Sequence, residues 1–556
     1  MVASRSDGGP VAGRLEVDRS RSAGRSPALL VVIGLAGSLA GAPAVAADRS
    51  NEPPVQVQWG ACPADVAADA PELQCATVPV PLDYGKPEGT QIEIMVSRRA
   101  SENPSKRRGV LLLNPGGPGG SGLSQPADLV ALGAPASVLD SYDLIGTDTR
   151  GIGHSSPVSC GFTADQDYYG NIPPYAADDA AVAEQARRAK AVADQCAAND
   201  RDGRMRHLST ANMARDMDRI RAALGEEKVN YFGLSYGTAL GAAYASMFPE
   251  RSDRIVLDSN IGDTFLDRDG MRRFGPGAEQ TFPDFAKWAA ARHDAYGLGR
   301  SPEEVRSTYF ALAERLDATP VAGVDGPVFR LATFVGLYRE ASYAQLAQLW
   351  QSVRDSDEEA VRRQLAENGP VGARSGPGTP APAAEPAEAD NAWSVFLAVT
   401  CNDVGWSEDV ETYRRAVAED RGKYPLYGAA SANILPCAYW RHEPAEPPVR
   451  IGDDGPSNVL ILQNLRDPVT PHRGGEMLRE KFGQRSRLVS VDGSGHGVYV
   501  YGDNPCALNV TTDYLVDGEL PDRDTFCGAS PNSGLALDRD DQQRRAELLD
   551  RLQHTP

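Results

Sequence analysis

The chain has 556 residues and a formal net charge of −20 at pH 7. This length is more than one simple core needs, and it allows a large domain that carries insertions. The excess of acidic residues disfavours nucleic acids and anionic membranes as partners, so we expect neither. The sequence contains no CxxC pair and no histidine cluster, so we expect no metal site and no cofactor.

The N-terminal stretch 1–47 has the pattern of a secretory signal peptide. Arg21 and Arg25 precede the apolar run 28–40, and small residues at 44–47 offer a cleavage site. The apolar run is too short for a comfortable membrane span. We therefore predict a secreted, extracellular protein without a membrane anchor, and we expect it to be a monomer.

The eight cysteines all follow the predicted signal peptide. An even number of cysteines in a secreted chain indicates disulfide bonds, although spacing alone leaves many pairings open. The simplest arrangement joins neighbours along the chain: Cys62 with Cys75, Cys160 with Cys196, Cys401 with Cys437, and Cys506 with Cys527.

Short apolar runs and helical patterns alternate in two regions of the chain. The predicted strands are 92–96 (IEIMV), 110–114 (VLLLN), 142–148 (YDLIGTD), 229–235 (VNYFGLS), 254–259 (RIVLDS), 458–464 (NVLILQN) and 487–493 (RLVSVDG). An amphipathic helix is predicted over 212–224, between the third and fourth of these strands. Strands that alternate with helices indicate an α/β protein with a mostly parallel sheet covered on both faces.

The middle of the chain has mainly helical patterns, for example at 302–316 and 342–367. Within this region, 369–390 is rich in proline, alanine, glycine and acidic residues, which is typical of a flexible loop.

These patterns predict a core that is split in two by an insertion. The N-terminal part of the core is 48–263 and the C-terminal part is 452–556, with a large helical cap over 264–451. A cap of this kind would cover the ends of the strands, where ligands bind in α/β folds.

A glycine-rich stretch, NPGGPGGSG, follows the second predicted strand at 114–122. A Walker phosphate loop requires a Lys-Ser or Lys-Thr pair after its glycines, and none is present here. Pro118 interrupts the glycine spacing of a dinucleotide-binding loop. The stretch therefore offers backbone N–H groups without a cation, which suits a small oxyanion, although a plain tight turn has the same composition.

Ser235 lies in a GxSxG sequence, GLSYG, at 233–237. The motif alone is short enough to occur by chance. Here it ends a predicted strand and begins a helical pattern, which is the setting of a nucleophile elbow. We predict that Ser235 is a catalytic nucleophile, against the alternative of a serine in an ordinary turn.

A serine nucleophile needs a base and a group that orients the base. Of the seven histidines, His496 lies in DGSGHG, directly after the last predicted strand. Asp467 lies in NLRDPVTP, after the preceding strand, so the chain order is Ser, Asp, His, as expected for an α/β-hydrolase. We predict Ser235, Asp467 and His496 as the catalytic triad. A surface loop for His496 and a helix cap or turn for Asp467 are the alternatives.

In this fold, one oxyanion-hole N–H comes from the residue after the nucleophile and a second comes from a loop after an early strand. These positions predict Tyr236 and, within NPGGPGGSG, Gly117.

The chain resembles the secreted actinobacterial tripeptidyl aminopeptidases, a branch of the α/β-hydrolase fold related to proline iminopeptidases. The motifs that carry the resemblance are NPGGPGGSG (114–122), TDTRGIGHSS (147–156), YFGLSYGT (231–238), TCND (400–403), NLRDPVTP (464–471) and GSGHG (493–497). They are spread over most of the chain that follows the signal peptide. One departure is Asp148-Thr149-Arg150-Gly151, where relatives often have Asp-Pro-Arg-Gly, and it affects only a turn.

The resemblance implies a serine exopeptidase that acts on peptides with a free N-terminus and releases short peptides such as tripeptides. Some relatives are described as esterases, so a carboxylesterase or lipase-like hydrolase with the same triad is the alternative. A non-catalytic binding module would be expected to lack a triad member. An aminopeptidase must also bind the substrate ammonium, and we predict Asp403 in AVTCND as its partner. A structural aspartate that caps a helix is the alternative for Asp403.

Overall fold

The computed structural model describes residues 57–163, 166, 168, 172–368, 388–530 and 539–553. The predicted signal peptide and the 369–387 part of the predicted flexible loop lie outside the described residues. The last three residues of that predicted loop begin a helix instead.

One sheet contains all the named strands of the described chain. They are β1 (Gly60–Ala61), β2 (Gln74–Pro81), β3 (Gln91–Arg99), β4 (Gly109–Asn114), β5 (Tyr142–Thr147), β6 (Val229–Leu234), β7 (Ser252–Asp258), β8 (Val459–Arg466), β9 (Ser486–Ser494) and β10 (Thr525–Cys527). Their spatial order is β1-β2-β3-β5-β4-β6-β7-β8-β9-β10. From β5 to β10 in this order every neighbouring pair is parallel, whereas β1, β2 and β3 pair antiparallel at one end.

The central strands β4, β5 and β6 are buried at every position. Continuous apolar runs such as VLLL are expected in a parallel sheet that is covered on both faces, because no strand face meets water. Each predicted strand is present within a few residues of its predicted bounds. Strand β2 was not predicted, because Pro79 and Pro81 weaken its strand pattern.

Helices cover both faces of the sheet, and others lie over one end of its strands. They are α1 (Ala64–Asp69), α2 (Gln125–Ala131), α3 (Ala136–Ser141), α4 (Asp179–Asn199), α5 (Thr210–Ala223), α6 (Tyr236–Met247), α7 (Arg268–Arg272), α8 (Phe274–Ala290), α9 (His293–Tyr296), α10 (Pro302–Ala318), α11 (Gly326–Gly336), α12 (Tyr343–Asp355), α13 (Glu358–Asn368), α14 (Glu388–Asp403), α15 (Val410–Lys423), α16 (Gly428–Ser431), α17 (His472–Phe482), α18 (Pro505–Asp517) and α19 (Arg539–Gln553). In the described part of the chain, no helix is both long and apolar enough to cross a membrane.

The described residues between β7 and β8 contain helices α7 to α16 and no named strand. Their core is aromatic: the rings of Phe282, Tyr309 and Trp350 are fully buried and pack against one another. The helical pattern predicted over 342–367 forms two helices, α12 and α13, because Ser356 adopts a left-handed conformation with a φ of 56° between them.

Helix α4 was not predicted, and it extends the helical layer beyond the predicted insertion. It lies between β5 and β6 in the chain, yet Val182 and Ala189 of α4 share a buried cluster with Tyr413 and Val417 of α15. The helices above the sheet therefore come from two separate stretches of the sequence.

Candidate active site

Ser235 lies at a sharp turn between β6 and α6. Its backbone has a φ of 59° and a ψ of −122°, a conformation that residues with a side chain rarely adopt. The glycines at 233 and 237 are required by space: a Cβ on Gly233 would lie 2.4 Å from the carbonyl oxygen of Gly237, and one on Gly237 would lie 2.8 Å from that of Asn114. The Ser235 N–H donates to the carbonyl of Asp258 at 3.0 Å, which ties the turn to the next strand.

His496 and Asp467 meet beyond the carboxyl ends of β9 and β8. Nδ1 of His496 lies 2.9 Å from Oδ2 of Asp467, and only 8% of the histidine and none of the aspartate is exposed. Oδ1 of Asp467 accepts hydrogen bonds from the N–H groups of Val469 and Thr470 at 3.0 and 2.8 Å. The Thr470 hydroxyl donates to Oδ2 at 2.8 Å and lies 3.1 Å from Nδ1 of His496. The carboxylate is therefore held in one orientation, with Oδ2 directed at the imidazole.

Two residues at the end of β7, Asp258 and Ser259, hold the loop that carries His496. The Asp258 carboxylate accepts hydrogen bonds from the N–H groups of Val498 and Tyr499, and the Ser259 hydroxyl accepts one from Gly497 at 2.9 Å. Burial raises the pKa of Asp258 to about 6. Neither residue was predicted, although an acidic residue at a predicted strand end was a visible signal.

Ser235 and His496 both line one cavity of about 540 Å³. Its wall also includes the glycine-rich loop, Thr470 and several residues of the helical segment between β7 and β8. In the described chain, the Ser235 hydroxyl makes no hydrogen bond to His496 or to any other group. Such contacts are often long before a substrate binds.

The glycine-rich loop packs directly against the Ser235 turn. A Cβ on Gly116 would lie 2.9 Å from Cβ of Ser235, so only glycine allows this approach. The Gly116 N–H already donates to the Asn114 side chain at 3.0 Å. Within the described residues, the N–H groups of Gly117 and Tyr236 donate to no protein acceptor. Gly117 lies on the cavity wall, where its N–H can reach a ligand, whereas Tyr236 follows Ser235 but does not itself line the cavity.

The structure corrects the prediction that Asp403 binds a substrate ammonium. Asp403 is absent from the wall of the large cavity and instead lies beside the first residue of α5. Its Oδ1 accepts from the Thr210 N–H at 2.8 Å, and its Oδ2 accepts from the Thr210 hydroxyl at 2.5 Å. Burial is the largest influence on this carboxyl and raises its pKa to about 7. The segment is buried as predicted, but the carboxylate caps a helix.

Among the described residues, the carboxylates on the cavity wall belong to Asp65, Asp69, Asp128 and Asp148. Asp148 is fully buried and accepts hydrogen bonds from Ser121 and from the backbone of Gly122 and His154, which satisfies it within the fold. Asp65 and Asp69 of α1 are exposed, and Asp65 pairs with the His154 ring at 2.9 Å.

The cysteines form four disulfide bonds: Cys62–Cys75, Cys160–Cys196, Cys401–Cys437 and Cys506–Cys527. These are the pairs of chain neighbours expected from the sequence.

Comparison with known proteins identifies relatives along most of the chain. A family model described as alpha/beta hydrolase fold matches residues 109–503. The chain is 35% identical over 502 residues to the tripeptidyl aminopeptidase of Streptomyces coelicolor, covering 87% of this chain and 88% of the relative. It is 27% identical over 505 residues to the serine protease Hip1 of Mycobacterium tuberculosis, with 86% and 89% covered. It is 31% identical over 505 residues to the carboxylesterase B of the same organism, with 88% and 92% covered.

Proposed function

Since the chain belongs to the alpha/beta hydrolase family and is a serine hydrolase, we propose that it is a secreted exopeptidase that releases short peptides, mainly tripeptides, from free N-termini. The observation that carries this proposal is the buried hydrogen bond from Asp467 to His496, which lines the same cavity as Ser235. The family relatives named tripeptidyl aminopeptidase and serine protease support a peptide substrate.

In this proposal the reaction proceeds through an acyl-enzyme. Because Nδ1 of His496 faces Asp467, Nε2 is the atom that accepts the proton of Ser235 as its hydroxyl attacks the scissile carbonyl. The protonated imidazole then gives that proton to the leaving amine. Water repeats the sequence to release the peptide acid and restore the serine.

The free N–H groups of Gly117 and Tyr236 form the oxyanion hole in this mechanism. They would stabilise the negative oxygen of each tetrahedral intermediate, and losing one such donor typically costs about 10²–10³ in rate. We further propose that the helical segment 264–451 acts as a cap, because several of its residues line the cavity above Ser235.

With Asp403 off the cavity, another group must bind the substrate ammonium. We assign this role to Asp65 and Asp69, which are the exposed carboxylates that the described residues place on the cavity wall. An exposed carboxylate keeps its charge in water, so it can attract an ammonium without the cost of a buried, unpaired ion.

A carboxylesterase is the second candidate, because a relative of similar coverage is named carboxylesterase B. A panel of p-nitroanilide peptides of one to four residues, with free and acetylated N-termini, separates the two functions when p-nitrophenyl acetate is measured in parallel. The peptidase proposal expects the fastest release from unblocked tripeptides. Turnover of the ester without turnover of any peptide would favour the esterase, and Ser235→Ala supplies the background rate.

Secretion is proposed from the N-terminal pattern at 1–47 and from the four disulfide bonds. N-terminal sequencing of the protein from the culture medium of an expressing actinobacterium tests it. The expected sequence begins close to residue 48, whereas an uncleaved chain inside the cells would contradict secretion.

A further inference from the structure

Arg339 is a buried cation on the wall of the same cavity. It immediately precedes the short helical turn Glu340–Ser342, and 9% of its surface is exposed. In the described chain its guanidinium makes no hydrogen bond and no ion pair, and its Nε is buried without a partner. Burying a charge without a partner is costly, so such a group in a cavity indicates a missing anionic ligand.

The groups around Arg339 favour its charge, among them the carboxylates of Asp467 and Asp258, but none in the described chain bonds to its guanidinium. The guanidinium carbon lies 5.5 Å from the centre of the Tyr501 ring. The Gln125 amide lies beside the Tyr501 hydroxyl, yet both of its polar atoms are buried without a hydrogen bond of normal geometry. Burial lowers the pKa of Arg339 to about 10, so the side chain is a cation at neutral pH. A five-donor cation and an amide with free donors together match the oxygens of a carboxylate.

A second arginine on the cavity wall, Arg273, shows that the free guanidinium is specific to Arg339. Arg273 donates to the carbonyl of Ile261 at 2.6 Å, and the carboxylates of Asp263 and Asp267 favour its charge. Arg273 therefore has a hydrogen-bond acceptor within the fold. In the described chain the Arg339 guanidinium has none, and the carboxylates of Asp467 and Asp258 favour its charge only through space.

The position of Arg339 places its ligand close to the reacting bond. The backbone N–H of His496 donates a hydrogen bond, at 2.7 Å, to the backbone carbonyl of Tyr338, which precedes Arg339 in the chain. The Tyr338 ring also packs edge-on against the imidazole, with ring centres 5.6 Å apart. Because Arg339 follows Tyr338 in the chain and lines the same cavity as Ser235 and His496, a carboxylate bound to it can belong to the peptide that Ser235 attacks.

We propose that Arg339, assisted by Gln125, forms a subsite for a carboxylate of the substrate. This inference rests on the proposed peptidase function and deepens it: the enzyme would prefer short peptides that present a carboxylate next to the cleaved bond. The carboxylate belongs either to the C-terminus of a peptide only slightly longer than the released fragment or to an acidic side chain.

The test compares substrates that differ in one carboxylate. Tetra-alanine is measured against tetra-alanine amide, and Ala-Ala-Ala p-nitroanilide against its three single-glutamate variants. We expect the wild type to favour one carboxylate-bearing member in kcat/KM by about 10- to 100-fold, the range for a hydrogen bond to a charged group. Arg339→Gln should reduce that ratio to about 1, and Arg339→Lys should keep part of it, because lysine retains the charge without the planar fork.

The two substrate pairs distinguish the sources of the carboxylate. If Arg339→Gln abolishes the preference for tetra-alanine over its amide, the carboxylate is the peptide C-terminus. If it abolishes the preference for a glutamate-containing p-nitroanilide, the carboxylate is an acidic side chain. The proposal is wrong if the wild type shows no preference in either series, or if Arg339→Gln leaves the preference intact.

Arg330 provides a matched control, because it is also 9% exposed but lies outside the cavity and pairs with Asp317 at 2.7 and 2.8 Å. Arg330→Gln should lower the melting temperature and leave the carboxylate preference unchanged. Arg339→Gln should not lower the melting temperature, because it removes an unpaired buried charge. A melting temperature that falls as far as in Arg330→Gln would indicate a structural role for Arg339.

A separate readout keeps this test independent of the peptidase proposal. Tetra-alanine and its amide are compared as inhibitors of p-nitrophenyl acetate hydrolysis, a reaction that needs the serine nucleophile but no peptide substrate. A lower inhibition constant for the free acid that disappears in Arg339→Gln supports the carboxylate subsite even if no peptide is cleaved. Cleavage of peptides without any such difference would retain the peptidase and reject the subsite.

Discussion

The imidazole of His496 is bonded through Nδ1 to Oδ2 of Asp467, at 2.9 Å, and both groups are buried. This contact selects the tautomer that carries hydrogen on Nδ1 and leaves Nε2 free to accept a proton. Asp467→Asn should therefore lower kcat by about 10⁴, because the amide can stabilise the opposite tautomer. Steady-state rates on the best p-nitroanilide substrate measure the effect. Asp492→Asn on β9, which breaks only an ion pair with Arg466, is the control and should stay within a few-fold of the parent.

Ser235, the predicted nucleophile, has a positive φ, which is a backbone conformation that favours glycine. Ser235→Ala should abolish turnover and keep the fold, because the hydroxyl makes no hydrogen bond within the described residues. Ser235→Gly should be equally inactive but more stable than Ser235→Ala, by about 1–3 kcal/mol, because glycine adopts a positive φ without strain. Urea denaturation of both variants measures the difference. Equal stabilities would mean that the turn stores no strain, and residual activity within tenfold of the parent would remove Ser235 from the mechanism.

The predicted triad residues could be found from the sequence because each follows a recognisable strand. Ser235 and Asp467 come directly after β6 and β8, and His496 comes two residues after the end of β9. Neighbouring parallel strands end at the same edge of a sheet, so strand ends that are far apart in sequence converge. This reasoning needs only the strand pattern and the order of the three residues.

The remaining features depend on contacts that no local pattern reports. AVTCND correctly indicated a buried segment, but the direction in which Asp403 projects from α14 is set by the packing of α5, which the motif does not contain. Asp258 binds the backbone of Val498, 240 residues further along the chain. The pairing of α4 with α15 also joins distant stretches. Each of these contacts brings together helices or loops whose relative placement is decided by the whole core.

The disulfide between Cys401 and Cys437 should contribute more stability than the one between Cys62 and Cys75. The first closes a loop of 36 residues and the second a loop of 13. On the chain-entropy model each bond contributes about 2–4 kcal/mol, and the difference in loop length adds about 1 kcal/mol to the first. Urea denaturation of the double variants Cys401→Ala/Cys437→Ala and Cys62→Ala/Cys75→Ala measures both. A larger loss from the shorter loop would contradict this ranking.

Because the carboxyl group of Asp403 is buried, we predict that its contribution to the stability of the fold decreases as the pH rises. Its pKa increases from 3.8 to about 7 on folding, because burial disfavours the charged form more than the two hydrogen bonds from Thr210 favour it. Between these values the folded state binds a proton that the unfolded state has lost. Stability from this group is therefore present at low pH and is lost as the pH rises from about 4 through about 7.

Asp403→Asn isolates this effect from the other buried carboxyl groups. Asparagine can still accept from the Thr210 N–H and can donate to its hydroxyl, so the cap is retained without a titrating group. The free energy of unfolding of the variant should increase relative to that of the wild type as the pH rises from 4.5 to 8.5, as measured by urea denaturation at each pH. A constant difference across this range would show that Asp403 titrates alike in both states. The variant should also keep the wild-type ratio of rates on unblocked and acetylated peptides, because Asp403 does not line the cavity. If the variant lost its preference for unblocked over acetylated peptides, Asp403 would be the partner of the substrate ammonium after all.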